Sequence, residues 1–175
     1  GTGTLTTDWG TANPNTLSAG TYSFTITDTN NCSFTDSITI TEPTAISANS
    51  ATTNVSCNGG NDGTATLTLS GGTGTLTADW GTANPNALSV GSYSFTVTDS
   101  NSCTYTDSVI ITQPQTISAI PSITNVSCNG GNDGTATLTL SGGTGTLTTD
   151  WGTANPNTLS AGTYSFTITD TNNCS

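Results

Sequence analysis

The stretch V-S-C-N-G-G-N-D-G at residues 55–63 decides how this chain is organised, because it recurs letter for letter at residues 126–134. Cys57 and Cys128 are therefore 71 residues apart (128 − 57). The tryptophans at positions 9, 80 and 151 keep the same interval, and so do the cysteines at positions 32, 103 and 174. Self-similarity at a fixed period predicts a tandem array of one small module.

Proline after Glu or Gln closes each module and gives three segments. Residues 1–43 are the C-terminal part of a first module, residues 44–114 are a complete second module, and residues 115–175 are a third module that stops before its last strand. Residues 1–33 are identical to residues 143–175, which indicates recent duplication within a longer array. A module of this size buries only about 60% of its unfolded surface, so it needs cross-links or neighbours for stability.

Apolar and polar residues alternate within each module. Tyr22, Phe24 and Ile26 share one face of a strand predicted at residues 21–28, and residues 64–70 alternate in the same way. Helical periodicity is absent, and each tryptophan falls on the inward face of its strand, as a core residue would. The pattern predicts an all-β chain: a tandem array of small immunoglobulin-like antiparallel β-sandwich modules forming an elongated rod, with about 30–45 Å added per module.

Composition limits the functions that this chain can have. It contains no Lys, Arg or His, and its ten Asp and one Glu give a formal net charge of −11. Nothing could neutralise nucleic-acid phosphates, and an anionic membrane surface would repel the chain. A histidine-based triad and Schiff-base chemistry are both excluded. We therefore expect neither an enzyme nor a nucleic-acid-binding protein, and no run of apolar residues is long enough for direct membrane insertion.

These residues together resemble a known family, the SprB repeat of giant surface adhesins in gliding Bacteroidetes. The resemblance covers the whole chain and rests on V-S-C-N-G-G-N-D-G-T-A, on S-G-G-T-G, on the strand tryptophan and on the closing E/Q-P. The matching positions are Cys57, Gly60, Asp62, Gly63, Gly71, Gly72, Trp80, Gly91, Tyr93, Asp99 and Cys103. The resemblance implies a very large extracellular parent protein, exported by type IX secretion and displayed at the bacterial cell surface as filaments.

The sequence departs from the family pattern in two places. Asn31, Ser102 and Asn173 stand before the second cysteine, where the family usually has glycine. The segment T-L-T-A-D-W stands where the family usually has an aromatic-rich strand. The second departure predicts a thinner core than is typical of the family.

Two acidic loops are candidate calcium sites. Asp62 lies in the glycine-rich loop, and Asp99 with Asn101 has the D-x-N spacing found in calcium loops. The simpler interpretation of both segments is a turn, stabilised by glycine in the first and by the aspartate side chain in the second. No other cofactor is expected.

Ser37 and Ser108 are candidate sites of O-glycosylation. Each follows an aspartate and precedes an aliphatic residue, the pattern used for this modification in Bacteroidetes. Alternation along the strand places both hydroxyls toward solvent. A plain surface serine is the alternative.

Two functions remain open. The first is a structural stalk, in which the modules contact neighbouring repeats, or other copies in a fibre, and display a surface or polysaccharide-binding tip that lies elsewhere in the parent protein. The second is a glycan- or calcium-binding repeat, which would need exposed aromatic side chains. The alternation places Tyr22, Phe24, Phe34 and Tyr105 inward, which favours the stalk.

Cysteine pairing depends on the number of strands between Trp80 and Tyr93. One short strand, at residues 87–90, would bring Cys57 and Cys103 to the same end of the sandwich. Two strands would separate them and leave only a bond across modules, between Cys57 and Cys174. The ten residues at 81–90 have room for one strand, so we predict Cys57–Cys103 and Cys128–Cys174, with the partner of Cys32 upstream. Cysteines on the repeat period also indicate an oxidising compartment.

Overall fold

A computed structural model describes all 175 residues and confirms the all-β fold. The chain forms twelve strands and no α-helix. No helix is therefore present that could cross a membrane. The chain divides into two compact units, residues 1–45 with 71–73 and residues 46–70 with 74–175. The repeats appear as several small antiparallel sheets rather than one continuous sheet.

The first unit holds one three-stranded sheet. Its strands are β1 (Thr6–Asp8), β2 (Gly20–Thr27) and β3 (Ser33–Ile40), in the order β1-β2-β3. The predicted strand at residues 21–28 is thus confirmed with a shift of one residue. The loop between β2 and β3 is the predicted tight turn, in which Asn31 N–H donates to the Asp28 carbonyl at 3.0 Å.

The complete module, in the second unit, has two sheets. A hairpin pairs β4 (Ser47–Thr53) with β5 (Thr64–Ser70), and a second sheet has the order β6-β7-β8. These last strands are β6 (Thr77–Asp79), β7 (Gly91–Thr98) and β8 (Thr104–Ile111). The hairpin β4–β5 and the sheet β6-β7-β8 are the two layers of a small sandwich.

The third module repeats this layout as far as the sequence extends. A hairpin pairs β9 (Ser118–Thr124) with β10 (Thr135–Ser141), and β11 (Thr148–Asp150) pairs with β12 (Thr167–Thr169). β12 is shorter than its counterpart β7, with three residues against eight.

The core of the complete module lies between its two layers. The sheet contributes Phe95, Val97, Val109 and Ile111, while the hairpin contributes Ala65 and the partly buried leucines of β5. These are the inward positions of the alternating pattern, so the sequence predicted them. Trp80 is partly buried and packs on Phe95, with ring centroids 5.0 Å apart.

Each module has two ends, which we call upper and lower. The lower end of the complete module holds the last residues of β4 and β8, where Val55 N–H donates to the Thr112 carbonyl at 3.0 Å. The upper end holds the β7–β8 loop, where Thr75 N–H donates to the Ser100 hydroxyl at 3.0 Å. Residues 57 and 103 consequently lie at opposite ends of the module.

No strand forms at residues 87–90, where one was predicted. Turns occupy most of residues 80–87, through bonds from Ala83 N–H to the Trp80 carbonyl and from Ala87 N–H to the Asn84 carbonyl. Leu88 then makes only a single antiparallel bridge with Gly63. β6 and β7 are therefore direct antiparallel neighbours, and the number of strands differs from the prediction by one.

Asp36 and Asp107 fall on the inward side of the alternating pattern, and both lie on the edge strands of their sheets, β3 and β8. Asp36 pairs with Phe24 in an uninterrupted register, so no bulge forms, and Asp107 pairs with Phe95 in the same way. Both carboxylates remain exposed to solvent. The Tyr105 hydroxyl donates to Asp107 at 3.0 Å, and this bond raises the pKa of Tyr105.

Candidate functional site

The conspicuous site in the second unit is the place where the complete module meets the third module. Its first half is the loop at residues 55–63, which we call the donor loop. Ser56 N–H donates to the Asp62 carboxylate at 3.0 Å, and Gly60 N–H donates to the Cys57 carbonyl at 3.1 Å. Gly59 has φ of 78°, a left-handed conformation that favours glycine. The loop therefore presents Cys57 from a closed, hydrogen-bonded turn.

The segment that follows β8 fixes this loop to the lower end of the module. Gly59 N–H donates to the Gln113 side-chain oxygen at 2.8 Å, and the Asn58 amide donates to the Pro114 carbonyl at 2.9 Å. Sequence reasoning missed Asn58 and Gln113. The signal that could have found Gln113 is the repeated E/Q before proline, which we interpreted only as a module boundary.

The second half of the site is the loop at residues 170–174, which we call the acceptor loop. The Asp170 carboxylate accepts the N–H groups of Asn172 at 2.8 Å, Cys174 at 2.9 Å and Thr144 at 2.8 Å. Asn173 has φ of 63°, so the residue before the cysteine is left-handed here, as it is at Asn31 and Ser102. This backbone conformation explains why glycine suits this position in the family pattern.

Two carboxylates in these loops have perturbed acidity. Burial acts to raise the pKa of Asp170, but the three N–H donors together outweigh it and hold the pKa below its ordinary value. The hydroxyl and N–H of Ser56 likewise lower the pKa of Asp62. The ionised forms of Asp62 and Asp170 are therefore favoured, and each carboxylate accepts hydrogen bonds from backbone N–H groups of its loop.

A disulfide bond joins the two loops. Cys57 and Cys174 are bonded, with their Cα atoms 5.6 Å apart, across a sequence separation of 117 residues. The Asn172 amide also donates to the Ser56 carbonyl at 3.1 Å. The lower end of one module is thus covalently linked to the upper end of the next, and we call this contact the joint.

The predicted pairs Cys57–Cys103 and Cys128–Cys174 are wrong. Cys103, Cys128 and Cys32 are free and exposed. The reason is the missing strand at residues 87–90: without it, Cys103 directly precedes β8 at the upper end, whereas Cys57 lies near the last residues of β8 at the lower end. The cross-module bond, which the sequence had offered as the alternative, is the one that forms.

A cavity of about 420 Å³ lies beside the disulfide bond. It is bounded by the linker between the modules and by the acceptor loop. Its lining includes Cys57, Pro114, Ile117, Ile168, Asp170 and Cys174. The joint is therefore held by the disulfide bond and hydrogen bonds around an incompletely filled space.

The calcium candidates do not form one cluster. Asp62 lies at the lower end and Asp99 at the upper end of the complete module. One Asp99 oxygen already accepts the N–H groups of Asn101 at 2.8 Å and Cys103 at 2.9 Å. No group of three or more His, Cys, Asp or Glu residues in the chain is arranged to hold a metal ion.

Aromatic side chains in the complete module lie against its core. Phe95 is buried, and Trp80, Tyr93 and Tyr105 are partly buried and pack against the core residues. Phe34, in the first unit, is 59% exposed, so its predicted inward burial is wrong there. A pocket in the third module is lined by Trp151, Leu159 and Tyr164, among other residues.

Ser37 and Ser108 are both exposed on edge strands. Their hydroxyls are accessible, as the alternation predicted. Glycosylation of these residues stays a prediction, which an intact-mass measurement on native material would check.

Comparison with protein families now identifies the repeat. The family model of the SprB repeat matches residues 49–84 and residues 120–155. These two segments of the chain are similar to the SprB repeat. Each SprB match starts within the first hairpin strand, includes the donor loop and ends just after the tryptophan. Searches among curated proteins and among solved structures gave no match.

SprB repeats are structural repeats associated with large extracellular surface proteins of the adhesin type, and they are not a known catalytic domain. Donor-loop cysteines Cys57 and Cys128 both fall inside the matched segments, whereas Cys103 and Cys174 lie outside them. The disulfide bond fits an oxidising environment.

Proposed function

We propose that this chain is a segment of the stalk of a large secreted adhesin at the bacterial cell surface, serving attachment or gliding after type IX secretion. Its modules act as non-catalytic spacers that carry a binding tip away from the cell. The observation that carries the proposal is the Cys57–Cys174 bond, which joins one module to the next rather than closing a single module.

A stalk must keep its length when it is pulled. Tension that enters through β4 reaches Cys57 and passes through the disulfide bond directly to Cys174. Strands β5 to β12 lie between these cysteines in the sequence, outside that covalent path. Extension of this segment therefore requires a covalent bond to break, whereas an unlinked sandwich extends once its strands separate.

The composition supports an exposed, protease-rich setting. Trypsin cleaves after Lys and Arg, and the chain contains neither residue. Its net charge of −11 favours solubility and keeps neighbouring stalks apart through repulsion. The disulfide bond supports an extracellular location, because such bonds are rare in reducing compartments.

Stretching single molecules between residues 1 and 175 tests the mechanical part of the proposal. Breaking the bond with a reductant should release the chain between Cys57 and Cys174, which are 117 residues apart in the sequence. At 3.3–3.6 Å per residue, the contour length should increase by about 390–420 Å, less the distance that the joint already spans. Cys57→Ser should show this length without reductant. Cys128→Ser removes an identical but unpaired thiol and should behave as the wild type.

Two results would count against the stalk. Equal contour length in oxidised and reduced molecules would show that no covalent bond carries tension from one module to the next. Antibodies raised against this chain should label threads between the cell surface and their tips in electron micrographs of the cells that make the protein. Labelling confined to the cell interior would contradict the surface location even if the joint is correct.

A further inference from the structure

The donor loop contains a dipeptide that is chemically labile in proteins. Asparagine is followed by glycine at two positions, 58–59 in the donor loop and 129–130 in the identical stretch at residues 126–134, the second donor loop. Glycine has no side chain to block its backbone nitrogen from the neighbouring asparagine. That nitrogen attacks the side-chain amide carbon, a succinimide ring closes, and ammonia leaves with the N–H proton. One water then opens the ring to aspartate or isoaspartate, so OH replaces NH2 without any oxidation.

In the complete module, hydrogen bonds hold both reacting groups of this dipeptide. Gly59 N–H, whose nitrogen would attack, donates to the Gln113 side-chain oxygen at 2.8 Å. The Asn58 side-chain amide, which would be attacked, donates to the Pro114 carbonyl at 2.9 Å. Ring closure requires the N–H to lose its proton and the asparagine side chain to swing onto that nitrogen. Both hydrogen bonds must therefore break before the ring can close.

The second donor loop has the same backbone without these two contacts. Gly130 has φ of 80°, against 78° for Gly59. Asn58 and Asn129 are both exposed, so water reaches both. The Asn129 side chain and Gly130 N–H make no hydrogen bond in this chain. The second pair therefore serves as an unrestrained reference within the same molecule.

We propose that Gln113 and Pro114 protect Asn58 from spontaneous deamidation and thereby preserve the joint. An isoaspartate at residue 58 would lengthen the backbone by one carbon beside the disulfide-bonded Cys57. It would also replace the donor to the Pro114 carbonyl with a carboxylate, which that carbonyl repels. The protection depends only on contacts within the complete module, so it holds whether or not the parent protein is an adhesin.

The residues that end the modules suit this protective role. Gln113 corresponds to Glu42 in the first module (113 − 71), and both side chains end in an oxygen that accepts an N–H. Pro114 corresponds to Pro43 in the same way, and proline supplies a carbonyl acceptor without an N–H of its own. An acceptor side chain followed by proline is thus the pair that the two groups of the dipeptide require.

Incubation of the 175-residue chain in mildly alkaline buffer tests the proposal. Chymotrypsin, which cleaves after aromatic residues, then places Asn58 within peptide 35–80 and Asn129 within peptide 106–151 of the reduced, denatured chain. Mass spectrometry measures the deamidated fraction of each, and a zero-time sample corrects for reaction during digestion. Asn58 should react at least about ten-fold more slowly than Asn129, because two hydrogen bonds of ordinary strength must break first.

Matched variants show which contact protects Asn58. Gln113→Ala should raise its rate about five-fold, since one hydrogen bond is lost, and should leave Asn129 unchanged. Gln113→Glu keeps an acceptor oxygen and should retain the slow rate. Gln115→Ala replaces the other glutamine of the chain, whose side chain makes no hydrogen bond, and should have no effect. Circular dichroism should show that all three variants remain folded.

Incubation in denaturant is the control for local sequence, since Asn58 and Asn129 have identical neighbours and should then react at equal rates. Equal rates in the native chain, or an unchanged Asn58 rate in Gln113→Ala, would overturn the proposal. Cys57→Ser breaks the joint but leaves Gln113 in the same module, so Asn58 should stay slow in this variant. A rise as large as that in Gln113→Ala would assign the protection to the disulfide bond and would also overturn the proposal. None of these outcomes affects the stretching experiment, which measures contour length.

Discussion

The sheet β1-β2-β3 of the first unit and the sheet β6-β7-β8 of the complete module have nearly the same sequence but different burial. Phe95 is 2% exposed, whereas its counterpart Phe24 is only partly buried. Val109 is buried, and its counterpart Ile38 is only partly so. The strand registers are equivalent in the two sheets, with Phe24 opposite Asp36 and Phe95 opposite Asp107.

The difference is the hairpin β4–β5, which covers the inner face of the second sheet. Its residue Ala65 is part of the same buried cluster as Phe95 and Val97. Strand pairing is therefore specified by the sheet itself, but the core exists only where both layers are present. This division is expected for a small module with few large apolar residues.

Replacing the buried phenylalanine should give the largest difference between the two sheets. Phe95→Ala should lower the free energy of unfolding of the complete module by about 3–5 kcal/mol, because a fully buried ring is lost and a cavity remains. Phe24→Ala should cost clearly less in the first unit, because Phe24 already contacts solvent. Hydrogen exchange of β7 and of β2 would measure both losses, and equal losses would contradict the role given to the hairpin.

Replacing a cysteine in the two identical donor loops should give the next largest difference. Cys57→Ser should destabilise the second unit by about 2–4 kcal/mol, since the bond no longer restricts the unfolded chain. Cys128→Ser should change stability by no more than about 0.5 kcal/mol, as expected for an exposed, unpaired side chain. Denaturant unfolding under non-reducing conditions would compare them, and similar midpoints for the two variants would count against the joint.

Much of this fold could be predicted from the sequence, because alternation and turn residues are local signals. Residues 64–70 form β5 as expected. The disulfide pairing could not be predicted, because it depended on whether residues 87–90 form a strand or a single bridge at Leu88. That choice is made by contact with Gly63, which is distant in the sequence.

Acid should affect the two acceptor loops alike, although their cores differ. The N–H groups of Thr2 and Cys32 lower the pKa of Asp28, and that of Asp170 is lowered as well. The stability that these carboxylates contribute is fully present above the ordinary pKa of about 3.9 and is lost as the pH falls through the lowered values.

Asp28→Asn and Asp170→Asn should therefore both reduce the acid sensitivity of their units, because an asparagine side chain does not titrate. Thermal unfolding between neutral pH and pH 2 would measure the pH dependence, with Asp36→Asn as an exposed control. A change confined to Asp170→Asn would show that the joint, rather than the loop itself, makes the carboxylate important.

Threonine pairs on the outer faces should give the smallest effects and no difference between the sheets. The hydroxyls of Thr96 and Thr106 lie 3.1 Å apart, and those of Thr25 and Thr35 lie 3.0 Å apart, with all four residues on paired strands. Thr96→Ala and Thr25→Ala should each cost about 0.2–1 kcal/mol, as is usual for cross-strand pairs. Unequal costs in hydrogen exchange would show that the hairpin also influences the outer face.

Peptide mapping of the oxidised chain is the most direct test of the covalent joint between modules. Cleavage before aspartate, without reduction, places Cys57 in peptide 36–61, Cys174 in peptide 170–175 and Cys103 in peptide 99–106. The structure predicts that peptide 36–61 is recovered linked to peptide 170–175. Recovery of peptide 36–61 linked to peptide 99–106 would show that the bond closes a single module, and would contradict the joint.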